Sequence, residues 1–150
     1  VAINDRTRQS VRDRAKFLCE YCHSPERSSS VVFTLDHLIP QSLGGSDEFD
    51  NLALACRRCN ERRYNFTTEI DPQTQQEVAL YNLRQQLWAD HLIWTADALK
   101  ILRTTTTGRA MAHRLDFNDE FHNQGFIQKS RQFWTQGGWH PRSEDPRQEM

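Results

Sequence analysis

The stretch that decides the fold reads Cys19-Glu20-Tyr21-Cys22, then Leu35-Asp36-His37-Leu38-Ile39-Pro40 and Gly44-Gly45. It closes with Asn51-Leu52-Ala53-Leu54-Ala55-Cys56-Arg57-Arg58-Cys59-Asn60. All four cysteines of the chain fall in its two C-x-x-C pairs, Cys19/Cys22 and Cys56/Cys59. Two such knuckles can set four thiolates tetrahedrally around one Zn²⁺ at about 2.3 Å each. Val1 to Ser10 is polar and charged and does not read as an export signal. A cytoplasmic setting is therefore expected, where paired cysteines favour metal over disulfides or a redox dithiol. Four thiolates leave no open coordination position, so this zinc is structural and chemistry must come from other residues.

Metal is also what a segment this small needs. Residues 19–65 are too few to rely on a hydrophobic core. Structural zinc contributes on the order of 10–16 kcal/mol of apparent binding energy. That offsets closure of the long loop between the knuckles, whose entropy cost grows only slowly with length.

Working outward, Thr7 to Leu18 carries Val11, Ala15 and Leu18 at helical spacing, an amphipathic helix leading into the first knuckle. Ser24 to Ser30 contains Pro25 and reads as loop. Val31 to Leu35 is a β-branched and aromatic run, a strand. Pro40 and Gly44-Gly45 keep Leu38 to Asp50 as an ordered loop, Leu52 to Ala55 reads as a second strand, and Arg57 to Tyr64 as a helix.

Between the knuckles the side chains suit phosphodiester hydrolysis. That reaction needs an activated water and charge stabilisation at phosphorus. An imidazole, with an unperturbed pKa near ~6.5, can accept a proton at neutral pH. Asp36 and Asn60 offer hard oxygen donors of the kind Mg²⁺ or Mn²⁺ takes.

The ordered set of C-x-x-C, Asp36-His37 before a proline, Gly44-Gly45, Asn51-Leu52 and C-x-x-C-Asn60-x-x-Arg63 resembles the HNH (His-Asn-His) endonuclease family. The third signature position is Asn60 instead of histidine, a variant that also occurs in the family, with asparagine as a metal ligand. The resemblance implies His37 as general base, with Asp36 and Asn60 holding one catalytic Mg²⁺ or Mn²⁺. It makes Asn51 the residue that bonds across the long loop and fixes His37, and it implies that Arg63, with Arg57 or Arg58, contacts substrate phosphate. The expected fold class is α+β: a ββα-metal, zinc-supported nuclease module with an N-terminal helix and a C-terminal hairpin and helical extension.

The expected domains are residues 5–68 for the module, 69–141 for an extension packed on it, and 142–150 for a disordered tail. In the second half, Pro72 and Gln73 to Gln76 mark a connection, and Leu80 to Asp90 reads as helix or irregular structure. His91 to Trp94 with Ala98 to Leu102 forms a hairpin, and Thr107 to Leu115 and Asp119 to Thr135 are helices, the latter opening on acidic residues. Elements such as Trp88-x-x-His91, Thr107-Gly108-Arg109-Ala110 and Gly138-Trp139-His140-Pro141 resemble an extension found behind HNH modules in some bacterial, notably cyanobacterial, proteins. Its tryptophans are expected to pack the extension onto the module, or to stack on bases or a protein partner.

Composition bounds the partners. Apolar residues make up 37% of the 150 residues, below the roughly 45–50% usual for globular chains, and the net charge is −1. No apolar run is long enough to span a membrane. Arg57, Arg58, Arg62 and Arg63 form a local basic run, which fits phosphate contact or a solvated face; Arg103, Arg109 and Arg114 could extend the track. DNA is the expected substrate. A nearly neutral chain is not expected to bind it tightly alone, so a partner protein or larger assembly would deliver the module. The alternatives are a catalytically silent zinc module that binds nucleic acid or protein, and an RNA-cutting variant.

Overall fold

A computed structural model describes residues 3–150. The chain divides into two compact units, residues 1–65 with 82–84, and residues 66–81 with 85–150. Among the described residues no helix is long and apolar enough to cross a membrane.

In the first unit, α1 (Asp5–Arg14) starts at Asn4, whose side chain accepts from the Thr7 N–H at 2.8 Å. It ends short of the expected Leu18 because Lys16 and Phe17 take left-handed backbone angles (φ 55° and 60°). That turn frees Leu18 to bridge to Pro25 and start the first knuckle. Val11 and Ala15, expected on the apolar face, are buried, and α1 packs on β2.

Strand β1 (Thr34–His37) pairs antiparallel with β2 (Leu52–Ala55), placing Asp36 opposite Ala53 and His37 opposite Leu52. β2 matches its expected span, and all four of its residues are buried. β1 starts three residues later than expected and ends two later. Val31 and Val32 have strand-forming side chains, yet they precede the paired register and are exposed. Strand propensity is realised only where a partner backbone and a face to pack against are available. Helix α2 (Arg57–Arg63) follows directly, giving the β-β-α order. Residues 82–84 belong to this unit through Arg84, which donates to Glu20 at 2.6 Å and to the Leu52 carbonyl at 3.2 Å.

The second unit opens with an unexpected hairpin, β3 (Thr68–Ile70) and β4 (Glu77–Ala79). The stretch read as a connection is its turn. Asp71 organises it, accepting from the Gln73 N–H at 3.0 Å and the Thr74 hydroxyl at 2.9 Å. The β5 (Leu92–Trp94) and β6 (Ile101–Arg103) hairpin is where the sequence puts one, with strand ends shifted by at most three residues. Helix α3 (Thr106–Leu115) is capped by Thr105, whose hydroxyl accepts from the Gly108 N–H. Arg109 reaches from α3 to grip Asp71 through two bonds of 3.0 and 2.9 Å, and Arg114 pairs with Glu69 and lies over Phe66. Both arginines are thus held by intramolecular partners instead of forming a free phosphate track.

Helix α4 (Phe126–Gln136) is shorter than the expected 119–135. The acidic opening is a loop, and Asp119 caps from a distance, accepting from the Ile127 N–H at 2.9 Å. Residues 142–150, expected as a disordered tail, dock on the open edge of β5. Trp94 donates its backbone N–H to Pro146 and accepts from Gln148, and its indole donates to the buried Asp145 at 3.0 Å. Trp88 and Trp94 are buried in this unit's own core, with rings 5.8 Å apart.

Candidate active site and metal centre

The four cysteines form a candidate metal centre. Cys19 accepts from the His23 N–H, while His23 (φ 58°) turns the backbone left-handed and closes the first knuckle. Cys56 is the N-cap of α2 and Cys59 lies in its first turn, which makes the second knuckle. The four buried Sγ atoms all lie within 4.8 Å of one another, and none is in a disulfide. Cys22 and Cys56 are 3.7 Å apart. A tetrahedron with 2.3 Å Zn–S bonds has edges of about 3.8 Å, so the donor set fits zinc. Burial pushes the Cys19 thiol well above its ordinary range, while bonds from Cys19, Cys56 and Cys59 pull Cys22 well below. A dication removes that conflict, because each thiolate then has a positive partner.

Beside this centre, β1 and α2 flank a cleft of about 320 Å³. Asp36, His37 and Asn60 all line it, together with Gln41, Tyr64 and Asn65. The three residues assigned from the sequence to base and metal binding therefore all border one cleft.

Asp36 is buried. Its Oδ2 accepts from the Tyr21 hydroxyl at 2.5 Å and from Arg63 Nη1 at 2.9 Å. Burial raises the Asp36 carboxyl above the usual carboxylate range, opposed by the Arg63 charge and the Tyr21 bond. Arg63 also donates to the His37 and Leu38 carbonyls, both at 2.5 Å. This corrects the expected substrate contact for Arg63. Its guanidinium is buried and fastens α2 to the end of β1, so it is not presented to a phosphate. Arg57 is exposed and pairs with Glu61 one turn along at 2.9 Å, which leaves it accessible to a ligand. Arg58 is half-buried and adds positive charge near Cys22.

Asn51 stitches the long loop shut. Its Oδ1 accepts from the Ile39 N–H at 2.8 Å, and its Nδ2 donates to the carbonyls of Ile39 at 3.1 Å and Ser46 at 2.8 Å. The neighbouring Leu38 N–H donates to the Asn51 carbonyl at 2.9 Å. Gly45 makes this crossing possible. A Cβ there would lie 1.7 Å from the Ile39 oxygen and 3.0 Å from Asn51 Nδ2. The same stitch brings Asp47 to His37, whose Nε2 lies 2.7 Å from Asp47 Oδ1. Gln41 donates to that oxygen at 3.2 Å, and the His37 bond holds the Asp47 carboxyl below its usual range.

Sequence reading did not single out Tyr21, Gln41, Asp47 or Tyr64. Asp47 carried a faint signal, a carboxylate two residues beyond Gly44-Gly45 in a loop that has to fold back on His37. Tyr21 carried none, since the interior of a knuckle gives no hint of where its side chains point.

Residues 19–66 match the family model described as HNH endonuclease. No curated protein and no solved structure gives a match to the chain. The β-β-α order, the four clustered cysteines and the cleft lined by Asp36, His37 and Asn60 all lie within the 19–66 stretch that is similar to this family.

Proposed function

We propose that this protein is a metal-dependent endonuclease that hydrolyses DNA phosphodiester bonds. The observation that supports this reading is the cleft bordered by His37, Asp36 and Asn60. His37 takes a proton from the attacking water, whose oxygen forms a bond to phosphorus as the bond to the 3′ oxygen breaks. The departing 3′ oxygen takes a proton from solvent water, leaving a 5′-phosphate and a 3′-hydroxyl. Asp36 and Asn60 would hold Mg²⁺ or Mn²⁺, since both offer hard oxygen donors and the cleft has room for an ion with its waters. When bound, such an ion polarises the scissile phosphate and stabilises the leaving oxygen. Asn51 keeps the loop closed over the end of β1 and so holds His37 in place. The exposed Arg57, with Arg58, supplies positive charge for phosphate.

The net charge of −1 supports delivery of this module to DNA by a partner protein or assembly, because affinity follows the number of phosphates neutralised. Tight binding of duplex DNA by the isolated chain at about physiological salt would remove that part of the reading. A cytoplasmic setting, which keeps thiols reduced, suits the tetrathiolate.

The test is cleavage of labelled plasmid DNA and of RNA with Mg²⁺ or with EDTA, by the wild-type chain and by His37→Ala. DNA cut only with Mg²⁺, and not by a folded His37→Ala protein, is the expected result. Cutting that survives His37→Ala, or that acts on RNA alone, overturns it. A second reading, a zinc module that binds without cutting, draws on Tyr21 and Arg63 already occupying one Asp36 oxygen. Under it, neither metal produces cleavage while binding persists in His37→Ala.

A further inference from the structure

The bond between Asp47 and His37 is a strong contact beside the cleft to which the reading above gives no role. It is short at 2.7 Å and made through Nε2. A carboxylate can only accept, so the hydrogen of this bond belongs to the imidazole. A neutral imidazole carries a single N–H, and whichever nitrogen donates leaves the other as the acceptor. With Nε2–H given to Asp47, the free lone pair of neutral His37 sits on Nδ1.

We propose that Asp47 is a positioning residue that selects the Nε2–H form of His37 and makes Nδ1 the nitrogen that takes the proton from water. The inference rests on His37 acting as the base, as proposed above, and adds which of its atoms does so and what decides it. Asp47 suits the task because it is itself held. Gln41 donates to the same Oδ1 at 3.2 Å, and the Asn51 amide holds the carbonyl of the preceding Ser46 at 2.8 Å. Gly45 lets Ser46 and Asp47 come that close to β1 by leaving the Ile39 carbonyl unobstructed. The path from Asn51 to His37 therefore runs through the loop backbone and a carboxylate. This is how an asparagine fourteen positions away orients the base without touching its ring.

The experiment reads the tautomer directly. The zinc-loaded full chain, labelled with ¹⁵N, is examined by two-bond ¹H–¹⁵N correlation of the His37 ring above its titration, for wild type, Asp47→Ala and Glu48→Ala. The last removes the next carboxylate of the same loop and controls for net charge. The expected result is the Nε2–H form in wild type and Glu48→Ala, with the Nδ1–H form rising in Asp47→Ala. In cleavage assays Asp47→Ala loses roughly 10–100-fold in kcat, as when orienting partners of reactive groups are removed, with KM unchanged within about two-fold. Asp47 is exposed enough that the variant keeps its fold, which the remaining resonances verify. An Nδ1–H wild type, or an Asp47→Ala ring unchanged from wild type, overturns the proposal whatever the activity. A variant that cuts faster overturns it too, by making Asp47 a latch on the base. A wild-type chain that cuts nothing sinks the nuclease reading and leaves the tautomer result to be judged by itself.

Discussion

Arg63 and Asp36 form an ion pair at 2.9 Å with side chains only 6% and 7% exposed. Sequence reading gave these residues separate duties, one toward substrate and one toward metal. In the fold the arginine neutralises the carboxylate from behind and donates to two carbonyls at the end of β1. It thereby sets the distance between α2, which carries Asn60, and the strand that carries Asp36 and His37.

Breaking that pair from one side leaves a buried charge without its partner, which costs about 3–5 kcal/mol. Arg63→Met is accordingly expected to lower stability by that amount in urea unfolding of the zinc-loaded protein. Arg57→Ala, at an exposed i,i+4 pair, is expected to stay within roughly 0.5 kcal/mol of wild type. If the two variants lose equal stability, the structural role given to Arg63 is wrong.

Gly45→Ala probes the loop. The added methyl would collide with backbone at the Ile39 oxygen, where no flexible side chain can yield. Overpacking of this kind costs typically about 1–3 kcal/mol. Because the collision sits between Asn51 and Asp47, cleavage is expected to fall by at least about ten-fold, more than a stability loss of that size explains in a protein that remains folded. Retention of full kcat would show that loop closure does not matter to the base.

Withdrawing zinc should act unevenly. A strong chelator is expected to abolish the amide dispersion of residues around the knuckles and to stop cleavage. Resonances of residues 85–150, whose unit has its own buried core around Trp94, Ile101, Met111 and Leu115, should persist. Amide ¹H–¹⁵N correlation spectra and metal analysis on one sample check this. Uniform unfolding, or none, contradicts it.

Acid acts on the second unit through Asp71. Bonds from Arg109 hold its carboxyl well below the usual carboxylate range. A group depressed in the folded state contributes stability that is present above its unfolded pKa, near ~3.9. That contribution is lost only as pH falls through the lower folded value. Stability of the second unit in Arg109→Ala should therefore be less than wild type at pH 7, with the gap narrowing as pH drops below about 4. A gap that widens in acid would refute the assignment.

How much of this was readable in the sequence depends on range. The knuckles, the Asp36-His37 pair and β2 are short-range patterns whose chemistry is carried by adjacent residues, and they stand where they were expected. β1 moved because Val31 and Val32 have no opposite strand residue to pair with, which only the register of β2 decides. The 68–79 hairpin was missed because Thr68-Glu69-Ile70 and Glu77-Val78-Ala79 lack apolar alternation; Asp71 and Arg109 hold it by a contact spanning thirty-eight positions. Asp47 looks like an ordinary surface charge in the sequence and Arg63 like a phosphate contact, and the partners of both become visible only once the loop has closed.

The segment from Asp145 to Gln148 has a consequence beyond its own order. By bonding the Trp94 backbone on the side that β6 leaves open, it covers the edge of an apolar strand, Leu92-Ile93-Trp94. Uncovered strand edges are templates on which other chains add themselves. These polar residues act as a guard against self-association, so clipping them off would show first as aggregates.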